Sequence, residues 1–288
     1  MRDFVIFTDS ATDLTKEMAA SLGVQTIQLE VIMDGEEPKP NDCVEPKAFY
    51  ADLRAKKGAT TAAVNIDRFL DSFGKVLEEK DVDLLYLGFS SGLSGTFNAG
   101  AVALKELSEK YPDRKLYAVD TLCASMGQGL LVYYAAKKKE SGEDIDAVRD
   151  YVENTKMNLC HWFTVDDLFF LKRGGRVSAA TAVVGTMLGI KPVMHVDNAG
   201  KLTKVTTARG RKASIDALFE RMKGSVLPEG NSAIFISHGD CEDDAQYLAN
   251  RIRTELGYAQ IEINFVGPVI GAHSGPGTLA LFFLGNER

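Results

Sequence analysis

The chain has 288 residues, of which 45% are hydrophobic and 25% charged; this is the profile of an ordinary globular protein, long enough for about two domains of ~150 residues and for a core that needs no staples. Lys plus Arg number 33 against 40 Asp plus Glu, a formal net charge of −7, which argues against a general nucleic-acid binder, since that function needs a basic face. No run of ~18 apolar residues is present, so no membrane span is expected.

Phe4–Phe7 predicts a first strand; the apolar stretch is too short for a signal peptide, and a cytoplasmic protein is expected. Asp13 is placed to cap a helix with Leu14, Met18, Ala19 and Leu22 on one face and Gly23 at its end. Val24–Met33 reads as one strand, and Asp34-Gly35 as a hairpin turn. Helices are expected over Pro46–Lys56 and Ile66–Glu79. Strand and helix patterns then alternate: Leu84–Gly88, Gly95–Lys110, Leu116–Val119, Ser125–Glu140, Asp144–Met157 and Trp162–Val165. Such alternation predicts βαβ units and a mostly parallel sheet.

The second half reads differently. Ser178–Gly189 is apolar or small nearly all round, which predicts a helix buried on several sides. Lys191–Asp197 and Lys201–Thr207 flank Asn198-Ala199-Gly200 as a hairpin, and Lys212–Met222, Ala233–Ser237, Asp243–Leu256, Gln260–Val266 and Leu279–Leu284 follow as helix, strand, helix, strand, strand. The expected fold is therefore α/β with two domains. Residues 1–160 form a three-layer α/β/α unit on a mostly parallel sheet, and 161–288 a two-layer α/β unit on a mixed sheet.

Cys43, Cys123, Cys160 and Cys241 contain no CxxC pair, so they read as reduced thiols rather than a zinc knuckle or disulfide framework. His161, His195 and His238 show no metal-ligand spacing and read as structural or surface residues; neither a metal nor a cofactor is expected. Four loops join polar side chains to glycines. Asp9-Ser10-Ala11-Thr12-Asp13 reads as a strand-to-helix turn with a capping Asp. Gly88–Thr96 offers Ser90, Ser91, Ser94 and Thr96 between a strand and a helix N-terminus, which fits either a capped turn or an anion site. Its Gly88-Phe89-Ser90-Ser91-Gly92 also matches G-x-S-x-G, so a serine hydrolase using Ser90, with Asp240 and His273, is the alternative enzyme reading. Lys172-Arg173-Gly174-Gly175-Arg176 is either a surface turn or a guanidinium site for an anion. In Gly271–Gly277, His273 lies between glycines and reads as a ligand contact.

In these segments the chain resembles the DegV family, which includes the fatty-acid-binding subunits of bacterial fatty acid kinase. The marks run in order: Phe7-Thr8-Asp9-Ser10, Thr60-Thr61, Ser90–Thr96, Asp120-Thr121, Leu171–Arg176 and Gly271–Gly277. The resemblance implies a lipid-binding carrier without catalytic activity of its own. It would bind a long-chain fatty acid in an apolar tunnel between the domains and present the carboxylate to a separate kinase catalytic subunit, for acyl phosphate and phospholipid synthesis. It implies carboxylate contacts from Thr61 and Ser94, with Arg173 and His273 near the head group and Arg209 against the partner. Where the family usually reads Thr-Ser-Gln-Pro, this chain reads Thr61-Ala62-Ala63-Val64. Ala179–Ile190 is a candidate tunnel wall or plain core. A lipid sensor that never presents its ligand is a further alternative.

Overall fold

The computed structural model describes residues 2–178 and 189–288. In chain order the elements that position the site are β1 (Phe4–Asp9), α1 (Lys16–Ser21), β2 (Val24–Ile27), β3 (Glu30–Met33), β4 (Lys39–Pro40), α2 (Pro46–Arg54), β5 (Ala59–Ala62), α3 (Ile66–Glu79), β6 (Asp83–Gly88), α4 (Thr96–Lys110), β7 (Leu116–Asp120), α5 (Ser125–Glu140), α6 (Ile145–Thr155), β8 (Leu159–Thr164) and α7 (Leu168–Arg173). After these come β9 (Ile190–Val196), β10 (Leu202–Arg209), α8 (Arg211–Ser225), β11 (Ile234–His238), α9 (Glu242–Arg251), β12 (Ile261–Phe265), α10 (Pro268–Ser274) and β13 (Leu279–Leu284).

The first sheet is parallel throughout, in the order β2-β1-β6-β7. Alternation along its strands divides the side chains between two faces. Ile6, Leu85 and Leu87 pack with Leu130, Val148 and Val152 of α5 and α6. Phe7, Leu84 and Tyr86 pack with Phe69, Phe73, Leu104 and Leu107 of α3 and α4. This is the expected α/β/α sandwich. Helix α3 forms because Phe69, Phe73, Val76 and Leu77 recur on one face and Asn65 caps it, accepting from the Arg68 N–H at 3.0 Å.

The second large sheet is mixed, in the order β10-β9-β8-β13-β11-β12, antiparallel except for the parallel β11–β12 pair. One face is covered by Ile215, Leu218, Phe219 and Met222 of α8 and by Leu248 and Ala249 of α9. The other face meets α5, since Phe163, Phe235, Phe282 and Leu284 share a core with Leu130 and Leu131. Helix α5 therefore lies between two sheets, and all but Tyr133 of its residues from Ser125 to Ala136 are buried. Two glycines permit the approach: a Cβ on Gly127 would sit 2.2 Å from His161 Nε2, and one on Gly129 would sit 2.8 Å from the Thr12 carbonyl.

Three features differ from the sequence reading. Val24–Met33 is two strands in two sheets, and β3 joins β4 and β5 in a small antiparallel sheet. The break comes at Leu29, whose N–H donates to Ser10 Oγ and whose carbonyl accepts from Asn41, both at 2.9 Å. Asp13 does not cap α1; Thr15 does, accepting from the Met18 N–H at 3.1 Å, while Asp13 is buried with a left-handed φ of 55°. The Gly271–Gly277 loop begins instead as the C-terminal part of α10. The expected Ser178–Gly189 helix lies almost wholly outside the described residues.

Candidate functional site

The carboxyl ends of β1 and β6 are tied together by one buried carboxylate. Asp9 Oδ2 accepts from the Phe89 N–H and from Tyr86 Oη, both at 2.9 Å, while Oδ1 accepts from the Ala11 N–H at 3.2 Å and from Gln128 Nε2 at 3.3 Å. Burial pushes the Asp9 pKa up and these hydrogen bonds oppose that push. Asp9 is thereby a brace that fixes the Ser90–Thr96 loop above the sheet. In that loop Ser94 Oγ accepts from the Thr96 N–H at 3.2 Å and lies 2.9 Å from Thr96 Oγ1.

Facing this loop across a cavity is α10. His273 Nε2 lies 2.8 Å from Thr61 Oγ1 of β5. The ring packs on the Gly174 backbone so closely that a Cβ there would sit 2.2 Å from Nδ1. Burial, and then the positive charges of Arg176 and Arg173, pull the His273 pKa down to about 4, so the ring is neutral near pH 7. Arg176 donates from Nε to the Leu93 carbonyl at 3.1 Å and from Nη1 to the Gly174 carbonyl. This ties the α7 loop to the serine loop.

These residues surround a cavity of about 230 Å³ whose lining includes Thr61, Ser94, Arg176 and His273. Most of the remaining lining is apolar: Leu29, Phe89, Leu93 and Val269 from one side, and Phe163, Val196, Leu202 and Phe282 from the six-stranded sheet and its hairpin. The site thus couples two hydroxyls, a guanidinium and a neutral imidazole to an apolar chamber. A carboxylate is the group such donors satisfy, and a hydrocarbon is what the chamber walls exclude water around.

Of the residues singled out from sequence, Thr61, Ser94 and His273 are brought together here. Arg173 is not in the cavity lining: its guanidinium lies 5.0 Å from the Phe170 ring centroid, and the loop arginine lining the cavity is Arg176. Arg209 is exposed at the end of β10, away from the lining. The hydrolase constellation does not assemble. Ser90 is buried and donates to the Gly200 carbonyl at 2.8 Å, Asp240 pairs with Arg54, and His273 is engaged with Thr61. The Ala179–Ile190 wall lies outside the described residues except for Gly189 and Ile190, and neither of those two lines the cavity.

Three further lining residues were not assigned to a ligand from sequence: His161, read as structural or surface, Ser274, quoted only as part of the Gly271–Gly277 loop, and Ser125. His161 Nε2 accepts from the Ala124 N–H at 3.3 Å, so Nδ1 carries the proton toward the Leu159 carbonyl at 3.0 Å. Burial drives its pKa well down and keeps the ring neutral. Among the described residues no cluster of His, Cys, Asp and Glu suits a metal ion, and no helix is long and apolar enough to cross a membrane.

A family model described as "Uncharacterised protein, DegV family" matches residues 3–286. A DegV domain-containing protein of Clostridium perfringens is 46% identical over all of this chain and 99% of its own length. A DegV family protein from Thermus thermophilus, described as fatty-acid binding, superposes with a TM-score of 0.85 at 29% identity, covering 98% of this chain and 99% of that one. A DegV lipid-binding protein from Thermotoga maritima superposes with a TM-score of 0.84 at 29% identity, covering 99% of each.

Proposed function

The chain belongs to the DegV family, and we propose that it is a carrier that binds a long-chain fatty acid in this cavity. The carboxylate sits against Thr61 and Ser94, with His273 and Arg176 beside it and Arg173 acting only through its charge from outside the lining, and the acyl chain runs along the apolar walls between residues 1–160 and 161–288. The observation that supports this reading is the joining of the Thr61–His273 pair, 2.8 Å apart, to a lining that is otherwise mostly apolar. The energetics agree. About 14 buried methylenes at ~0.8 kcal/mol each amount to on the order of 11 kcal/mol as an upper limit. Hydrogen bonds to a charged head group add roughly 1.5–3 kcal/mol each. The tail dominates affinity, and the head contacts set its position.

In the same reading the bound carboxylate is presented to a separate kinase catalytic subunit, which forms the acyl phosphate for phospholipid synthesis, and Arg209 contacts that subunit. The chain supplies no catalysis; the ligand stands where a cofactor would. Native mass spectrometry of the purified protein tests the ligand class. A co-purified mass of ~250–290 Da is expected for 16–18-carbon acids, the size the apolar-burial argument favours. A protein that carries no such mass and takes up no added palmitate would overturn the reading.

A further inference from the structure

Besides Thr61 and Ser94, two further serines interrupt the apolar lining. Ser274 is 5% exposed, lines the cavity, and its Oγ has no hydrogen-bond partner. Ser125 also lines the cavity, at the first position of α5 and with a left-handed φ of 54°. A non-glycine residue held there costs free energy, and such outliers cluster at functional positions. Its hydroxyl is oriented: Oγ donates to Asp13 Oδ2 and lies 3.0 Å from Ser237 Oγ. Where Asp13 is ionised, the Ser125 proton is committed to it and Ser237 is the donor in the second contact. One acceptor lone pair of Ser125 Oγ is then left over.

The two serines belong to one neighbourhood. Thr278 Oγ1 donates to the Ser274 carbonyl at 3.0 Å. The next residues, Leu279 and Ala280, pair with His238 and Ser237 on β11. Ser274 and the Ser237–Ser125 contact are therefore anchored to the same end of the β11–β13 ladder.

A plain methylene chain pairs neither with the Ser274 hydroxyl nor with the remaining lone pair of Ser125 Oγ, and a buried hydroxyl without any partner, as at Ser274, is rarely left so. An olefinic bend offers no hydrogen bond either, and a keto or ether oxygen offers only an acceptor. A hydroxyl on the chain offers both, donating to Ser125 Oγ while accepting from the Ser274 O–H. We propose that the cavity recognises an acyl chain carrying a hydroxyl group, through Ser274 and Ser125. This rests on the fatty-acid reading and adds a ligand class to it.

The test is displacement of a fluorescent fatty acid from the full-length protein. The competitors are palmitic acid, palmitoleic acid and a series of 16-carbon acids with one hydroxyl at successive positions. At least one hydroxy acid is expected to bind about 10-fold tighter than palmitic acid, a difference of about 1.4 kcal/mol. The hydroxy-to-plain ratio is expected to collapse toward one in Ser274→Ala and to fall in Ser125→Gly, which keeps the left-handed backbone accessible. If every hydroxy acid binds no better than palmitic acid, this inference fails while the fatty-acid reading stands. A preference that survives both substitutions also overturns it. If palmitic acid itself does not compete, both readings fall. The wild-type series decides the matter even where a variant does not fold.

Discussion

The hydroxyl of Thr61 and Nε2 of His273 stand 2.8 Å apart although 212 residues separate them in sequence. The contact joins the small antiparallel sheet to α10 and sets one polar corner of the cavity. His273 is neutral near pH 7, so it shares a hydrogen bond with Thr61 and adds no charge of its own. The positive charge lining the cavity there is that of Arg176.

Removing either head-group hydroxyl should weaken binding without unfolding the chain. Thr61→Ala and Ser94→Ala are each expected to cost roughly 1–3 kcal/mol of fatty-acid affinity, the range for a hydrogen bond to a charged group. Isothermal titration with palmitate measures this. Unchanged affinity in both variants would remove the carboxylate from this corner.

His273 gives a pH signature. Its pKa is held at about 4 in the folded chain, against ~6.5 when unfolded. A base whose folded pKa is depressed contributes stability that is fully present above ~6.5 and is lost as pH falls toward 4. The shift corresponds to about 2 kcal/mol once solvent screening of the partly exposed ring is allowed for. Urea denaturation of wild type and His273→Gln between pH 4 and 7 should show the variant losing less stability on acidification. Parallel curves would contradict the buried neutral ring.

The elements that were legible in sequence are those whose signals are local. Helices Ile66–Glu79 and Ser125–Glu140 and the strand Leu279–Leu284 begin and end where caps, glycines and apolar periodicity place them. The break in Val24–Met33 was not legible, because Ser10 and Asn41, distant in sequence, hold the backbone at Leu29. Helix α10 was hidden because a glycine-rich stretch reads as a loop, whereas its start is set by Pro268 at the first turn. His273 stood out by its place between glycines, but Thr61 could be named only through family resemblance, and their pairing was not legible, since a contact of that separation leaves no local pattern. Arg173 and Arg176 flank Gly174-Gly175, where Gly175 has φ +73°, and of the two only Arg176 lines the cavity. Ser125 carries no motif, and Ser274 lies in the Gly271–Gly277 mark without being singled out there; the burial of both is a tertiary property.

Asp13 should respond to pH in the opposite direction from His273. Burial raises its pKa to about 7, despite the Ser125 hydrogen bond, from ~3.9 unfolded. The folded chain therefore keeps a proton that the unfolded chain releases. Stability falls as pH rises from ~4 to 7 and is level beyond, a total of about 4 kcal/mol. Asp13→Asn removes this titration, and Asn tolerates the left-handed backbone at this position. The variant's stability relative to wild type is expected to rise by about that amount between pH 4 and pH 8 in urea titrations. A constant difference would show that Asp13 is ionised throughout.

Gly127 tests the contact between α5 and the six-stranded sheet. An added Cβ would lie 2.2 Å from His161 Nε2 and 2.7 Å from Phe282 Cδ1. The His161 ring cannot swing aside without losing its bonds to Ala124 and Leu159. Alanine gains about 1 kcal/mol over glycine in helix propensity, but overpacking a core typically costs ~1–3 kcal/mol. The difference is a loss of zero to about 2 kcal/mol in urea, and Gly127→Ala is expected toward its upper end, because the three nearest atoms lie at 2.2, 2.5 and 2.7 Å. A variant as stable as wild type would mean that the two layers are not in close contact there.

Under the proposed function, Arg209 is expected to separate docking from lipid binding. It ends β10 on the surface, outside the cavity lining. Its cationic neighbours are committed: Arg211 pairs with Asp244 at 2.8 Å, and Lys212 lies 5.5 Å from the Tyr247 ring centroid. Arg209 has no ion pair among the described residues. On a chain of net charge −7, such a cation can steer an acidic partner surface. Arg209→Ala is expected to keep fatty-acid affinity and to cut phosphorylation by the cognate kinase subunit at least ~10-fold, about 1.4 kcal/mol. Raised salt should reproduce part of that loss in the wild type, because exposed charges are screened beyond ~8–10 Å. Binding and kinase-coupled turnover measured side by side decide between the outcomes. Equal turnover would remove Arg209 from the interface, and loss of lipid affinity would make it a residue of the pocket.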